Sequence, residues 1–338
     1  MSLHTGCDAI DVHTHVVPEH FPPYAKKAAE VAWPSMVPAH DCHRHVMLSG
    51  KIYRTVSDRC WDVQARIADM TPLGISSQVL SPMPELLSYW LDAEDGAALS
   101  RYINEQIAEM VGREPGRFHG LGAVPLQDVD RAVAELVFLT DELGLSGVEI
   151  GTNINGIVLG DARLEPFFAA AEELGAAIFV HPLRPVGKER LIGPKALEQV
   201  LAFPGETALA AASLLTAGTL ARHPNLRIAF SHGGGSLAML LPRLQHGWET
   251  FDELRKVMPV SPNTAARRMY YDSLVYDTAT LMQLIGRFGQ TQILVGSDFP
   301  FRIRERDPVG RINALPVEAG LKAQLLRHNA MRWLGIAQ

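Results

Sequence analysis

Cysteine is scarce in this 338-residue sequence, which carries only Cys7, Cys42 and Cys60. Three thiols cannot build a disulfide framework, so stability has to come from a buried core and a reducing compartment is expected. Long apolar runs are missing too. The greasiest stretch, Leu209–Leu215, contains Ser213 and falls far short of the roughly 18 residues that a membrane span needs. The first residues show no basic segment followed by an apolar one, so no secretory signal is read there and a cytoplasmic protein is expected. Positive charge is not in excess: 31 basic residues stand against 37 acidic ones, a net charge of −6. No global field draws nucleic acid to such a chain, and an anionic small molecule would have to be held by local arginines. The Gly-x-Ser-x-Gly elbow of a serine hydrolase is absent. Gly233-Gly234-Gly235 lacks the Gly-Lys-Ser/Thr sequel of a phosphate loop and reads as a tight turn.

What is there is an alternation. With 47% hydrophobic and 20% charged residues the composition is that of a folded globular chain. Short apolar runs, each too short for a helix, recur between amphipathic stretches, the pattern of βα units around a parallel sheet. Eight strands are predicted, at Ala9–Val12, Gln78–Ser81, Gly120–Val124, Gly147–Ile150, Ala177–Val180, Arg227–Phe230, Met269–Asp272 and Gln292–Val295. Helices are predicted at Asp92–Gly112, Asp130–Leu143, Arg163–Leu174, Glu206–Arg222, Thr278–Phe288 and Pro316–Trp333, with Gly144, Gly175 and Gly289 as left-handed caps. Eight repeats point to a (β/α)8 TIM barrel forming one domain over residues 1–338. Residues 17–65, rich in Pro, His and aromatic side chains, read as an insertion between strands 1 and 2 that covers the barrel mouth.

Active-site residues of such a barrel sit at the C-terminal ends of its strands. There the thirteen histidines of this chain become informative. The first strand ends Asp11-Val12-His13-Thr14-His15, and the period of 2 turns His13 and His15 to the same side as a chelating pair. The fifth ends in His181, the sixth in His232 and the eighth in Asp298. Convergence of these groups predicts a divalent metal site. Three neutral imidazoles and a carboxylate suit Zn²⁺ with a position open for water, and Mn²⁺, Fe²⁺ or Co²⁺ stay as alternatives. The fourth strand end, Val148-Glu149-Ile150-Gly151, has no lysine to bridge two ions, so one ion is expected. The tract Asp41-Cys42-His43-Arg44-His45, with His40 before it, has irregular spacing and reads as a polar edge of the insertion.

Five stretches carry a resemblance: Asp11-Val12-His13-Thr14-His15, Val124-Pro125-Leu126-Gln127-Asp128, Phe179-Val180-His181-Pro182, His232-Gly233-Gly234-Gly235-Ser236 and Gly296-Ser297-Asp298-Phe299-Pro300-Phe301. Through them nearly the whole chain resembles the decarboxylase branch of the amidohydrolase superfamily, within it the family of 2-amino-3-carboxymuconate-6-semialdehyde decarboxylases. The resemblance implies zinc held by His13, His15, His181 and Asp298, with His232 as the nearby acid/base. It implies that Arg54 binds a substrate carboxylate, and that Arg243 reaches the site of a neighbouring subunit in a homodimer. Lys51, Phe301 and Arg302 are further candidate substrate contacts. Two departures bear on the substrate: Leu183–Lys195 has no tryptophan and offers Arg184, Lys188 and Arg190, and Phe301 is followed by Arg302 instead of proline. The activity expected is non-oxidative decarboxylation of a small unsaturated or aromatic carboxylate. Hydrolysis or hydration of a small cyclic or unsaturated acid is the alternative, and a non-catalytic metal scaffold the weaker one. If His232 is the base, the rate should fall on the acid side of a near-neutral pKa.

Overall fold

The structure, a computed structural model, describes residues 9–26 and 31–337. Its centre is an eight-stranded parallel sheet whose strands are buried along nearly their whole length. Strand β1 is Ala9–Val16. Between it and the second barrel strand lies a three-stranded antiparallel sheet, β2 Ser35–Pro38, β3 His43–Leu48 and β4 Lys51–Ser57. The barrel continues with β5 Ile75–Pro82, β6 Phe118–Gly122 and β7 Gly147–Gly151. A small hairpin follows, β8 Asn153–Ile154 and β9 Ile157–Val158. The last barrel strands are β10 Ala177–His181, β11 Arg227–Phe230, β12 Tyr270–Asp272 and β13 Ile293–Leu294.

The sheet closes on itself. Val12 N–H donates to Val295 C=O at 2.8 Å, His15 N–H to Phe299 C=O at 2.7 Å and Asp298 N–H to His13 C=O at 2.8 Å. These bonds stitch the first strand to the eighth and make the predicted (β/α)8 barrel. They also set Asp298 beside His13, residues far apart in sequence.

Helices α1 Val63–Met70, α2 Ala93–Arg113, α3 Val129–Asp141, α4 Glu165–Glu173 and α5 Phe203–Thr216 cover the first strands. Asp62, Asp92 and Asp128 start the first three by accepting backbone N–H bonds from the first turn. Helix ends differ in places from the sequence pattern. The stretch Glu206–Arg222 is broken by Gly218 at φ +70°, and Thr219–Arg222 is a separate turn. The C-terminal stretch is three pieces, Ala319–Ala323, a wide turn Gln324–His328 and Asn329–Leu334. Gly144 and Gly175 are left-handed as expected, whereas Gly289, at φ +114° and ψ 156°, is extended beyond the cap region. Amphipathic periodicity marks which face is buried but is blind to such breaks.

Packing divides at the barrel wall. Ile178 and Val180 of β10 join the layer under the helices, while Ala177 and Phe179 join the cluster of Ile10, Val79, Leu121 and Trp333. His181 has the parity of Phe179. Among the described residues no helix is long and apolar enough to cross a membrane.

Candidate metal centre and cleft

His13 and His15 leave β1 just where its pairing with β5 slips register, between Asp11 and Thr14. Their Nε2 atoms come to lie 3.2 Å apart. Asp298 Oδ1 stands 3.2 Å from His15 Nε2 and 3.7 Å from His13 Nε2. His181 closes the group, its ring centroid 5.2 Å from that of His13 and 4.9 Å from that of His15. One donor atom from each of His13, His15, His181 and Asp298 lies within 4.8 Å of the others, and all four residues are buried. Among the described residues this is the one cluster of three or more His, Cys, Asp or Glu donors so placed. The His40 and His43 rings lie tilted with centroids 4.0 Å apart and His45 pairs with Thr55 Oγ1, without gathering a third donor.

Two observations show that these residues fit a cation. His181 Nε2 is buried without a hydrogen-bond partner, while Nδ1 lies 3.0 Å from Pro182 C=O, so a lone pair is left facing the group. Two buried carboxylates, Asp272 and Asp298, have histidines as their only ion-pair partners, with no Lys or Arg. Burying such negative charge without a cation is costly. The field shows in the titration of His13. Burial works against its charge, but the hydrogen bond to Asp272 and the carboxylates of Asp272, Asp298 and Glu149 outweigh that and raise its pKa to about 9. Glu149 is pushed up to about 8, chiefly by burial.

Sequence reasoning missed Asp272. Its Oδ2 sits 2.6 Å from His13 Nδ1, and its Oδ1 accepts the N–H bonds of Gly233 at 2.7 Å and Leu274 at 3.1 Å. The carboxylate therefore orients a donor of the cluster and the turn after His232 together. Its signal was available, a carboxylate at the end of the seventh predicted strand. Arg66 was not legible at all. From α1 it is fully buried and donates to His15 C=O at 2.9 Å, to Thr14 Oγ1 at 2.8 Å and to Gln78 Oε1 at 3.1 Å. Nothing local distinguishes it from an ordinary helical arginine.

His232 lies beside the donor group and outside it. Its ring centroid is 5.4 Å from His13 and 5.2 Å from His181. Both His232 and Asp298 hold positive φ, +55° and +66°, a strained conformation that a tight site can enforce. Burial, then the charge of His13, pushes the His232 pKa down to about 4, not the near-neutral value expected from its type.

These residues open on a cleft of about 610 Å³ that Arg54, Glu85, Gln199, Phe203, Tyr276 and Phe301 also line. Phe301 stacks on His15 at 5.0 Å, and the Arg54 guanidinium lies 4.2 Å over the same Phe301 ring. Lys51, Arg302 and Arg243 are exposed and are not on the cleft wall; Ile303 takes the place expected for Arg302.

The geometry agrees with comparisons to known proteins. A family model described as amidohydrolase matches residues 10–336. The 2-amino-3-carboxymuconate-6-semialdehyde decarboxylase of Dictyostelium discoideum is 36% identical over 330 residues, covering 97% of this chain and 91% of that one. In fold, the chain is similar to 5-carboxyvanillate decarboxylase LigW from Sphingomonas paucimobilis, with a TM-score of 0.81, 23% identity and coverage of 98% and 100%. It is also similar to a dihydroxybenzoic acid decarboxylase from Polaromonas sp. JS666, solved with manganese and the inhibitor 2-nitroresorcinol, with a TM-score of 0.75, 24% identity and coverage of 82% and 87%. A barrel closed between its first and eighth strands, a buried three-histidine, one-aspartate group at its mouth and a family match across nearly its full length carry one conclusion: this chain belongs to the amidohydrolase family.

Proposed function

We propose that the protein is a metal-dependent, non-oxidative decarboxylase of a small unsaturated or aromatic carboxylate, with His13, His15, His181 and Asp298 as metal ligands. The observation that carries the reading is the position of His232, a half-buried imidazole on the cleft, next to a four-donor group and not part of it. The extensive likeness to a named decarboxylase supports the same choice. A divalent ion in the group supplies Lewis acidity and brings the pKa of water towards 7. Zinc suits this donor set, and manganese, present in the Polaromonas structure, is the alternative.

His232 does the proton work. Neutral in its buried setting, it can accept a proton and return it to the carbon that bears the carboxylate. Once that carbon is protonated, its bond to CO₂ breaks and the electron pair restores the C=C bond. Arg54, held over Phe301, fixes a substrate carboxylate with its planar fork. Phe301, Phe203 and Ile303 give the ring or conjugated chain an apolar wall.

Purified protein is expected to carry about one divalent ion per chain by elemental analysis. The variant His232→Ala should keep that metal and lose about 10²- to 10⁴-fold in kcat for CO₂ release from carboxymuconate semialdehydes or hydroxybenzoates. His181→Ala should lose metal as well. Loss of metal from the first variant with retention in the second would reverse the two roles and end this mechanism.

A further inference from the structure

Two opposite charges line the cleft outside the metal group and its acid/base, Arg54 and Glu85. The remaining polar residues of that wall, Gln199 and Tyr276, are uncharged in their ordinary states. Glu85 stands in the turn Pro84–Leu87 that follows β5, the first turn beyond a barrel strand end. Both residues are half-buried. Neither makes an ion pair within 4 Å, with the other or with any other described residue. The Tyr53 hydroxyl is a hydrogen-bond partner of the Glu85 carboxylate and Arg184 feels its charge, while Arg184 is itself laid over the Trp90 ring at 3.3 Å. The stack of His15, Phe301 and Arg54 fixes the cation relative to the metal group, with steps of 5.0 and 4.2 Å.

An acid bound against Arg54 covers this wall and takes water from Glu85. A carboxylate has about four acceptor sites and Tyr53 serves only one of them, so stripping the others of water is costly unless the bound ligand offers an N–H or O–H. A second carboxylate placed there would meet like charge instead. From these points, and resting on the decarboxylase reading above, we infer that Glu85 determines specificity. Its carboxylate accepts a hydrogen bond from an amino or hydroxyl substituent of the bound acid and excludes a second carboxylate from that wall. The substrate class is then an amino- or hydroxyl-bearing carboxylate whose donor lies on the Glu85 side of the cleft.

The test uses metal-loaded wild type, Glu85→Gln and Glu85→Leu, with folding checked by circular dichroism and loading by metal content. The probes are salicylates carrying a further hydroxyl, amino or carboxylate group at each ring position. Binding is measured by calorimetry and CO₂ release in parallel. Wild type should bind its best hydroxyl or amino isomer at least about tenfold more tightly than the carboxylate counterpart, the scale of one hydrogen bond to a charged group. Glu85→Leu should lose that preference through weaker binding of the donor isomer. Glu85→Gln, which keeps an acceptor oxygen and drops the charge, should instead narrow it by admitting the dicarboxylate. For any probe turned over, the change should fall on KM more than on kcat. Selectivity that stays within about twofold across the three proteins overturns the inference, even where CO₂ is released. Selective binding with no CO₂ release from any probe overturns the decarboxylase reading and leaves Glu85 in its role. A folded, loaded wild type that binds no probe overturns both.

Discussion

Both oxygens of Asp272 accept hydrogen bonds, from His13 on one side and from Gly233 and Leu274 on the other. Asparagine cannot do this, because one end of its amide donates. In Asp272→Asn either the His13 ring or the turn after His232 loses its partner. Metal affinity is expected to fall by about 10- to 100-fold, with a parallel loss of kcat, while the fold persists. Competition with a chelator reads the first effect and CO₂ release the second. Unchanged affinity would show that Asp272 is a core acid with no hold on the centre. At this scale the sequence was most legible where chemistry is local: His13 and His15 are two residues apart on one strand, and their pairing follows from strand geometry alone. Arg66 and Glu85 are meaningful through partners distant in the chain, and for them residue type and spacing carry little, whereas Asp272 was marked by its strand end alone.

The turn Gly233-Gly234-Gly235 joins β11 to the helix Leu237–Thr250 and packs onto the start of α5. Gly235 adopts φ +59° and ψ −132°, a region open essentially to glycine, and a Cβ there would overlap the Pro204 carbonyl. Gly235→Ala should therefore cost about 2–4 kcal/mol and shift the turn that carries His232. Gly205→Ala, in α5 with nothing within 4 Å of the new methyl, should be neutral or stabilising by up to about 1 kcal/mol. Thermal unfolding of the two variants separates a conformational demand from loss of a mere spacer. The sequence reading of these glycines as a turn agrees with the element found. The closeness of α5, which makes the third glycine indispensable, is a tertiary fact.

For the molecule as a whole, a metal ion held among the buried carboxylates would tie stability to its binding. A ligand that binds only the folded state adds about 4 kcal/mol at a thousandfold excess over its Kd. Chelation should accordingly lower Tm by several degrees, restored by zinc or manganese, and an unchanged Tm would count against a resident metal. Assembly supplies the other prediction. Arg243 is exposed on the helix Leu237–Thr250, beside exposed Met239 and Leu240, and Leu209, Val200 and Leu201 are exposed on and before α5. The helix Leu237–Thr250 packs on α5, and a surface where both expose apolar side chains is one that a partner would cover. We propose that a second copy covers it and that Arg243 acts in the partner's cleft. Mixed Arg54→Ala and Arg243→Ala subunits should then recover part of the activity, since one of the two sites regains both arginines. No recovery despite confirmed subunit exchange would refute the shared site.

The sequence by itself determined the barrel, its eight strands and the donor types at their ends, because period, strand length and strand-end chemistry are written in consecutive residues. Tertiary structure decided the rest. Closure of β1 against the eighth strand brought Asp298 to His13, a register slip set the approach of His13 and His15, and β12 supplied Asp272. Likewise Arg54, half-buried on β4 of the small antiparallel sheet, becomes a cleft residue only by lying on Phe301. Each of these contacts joins segments that no local pattern relates, and only the folded chain can state which of them meet.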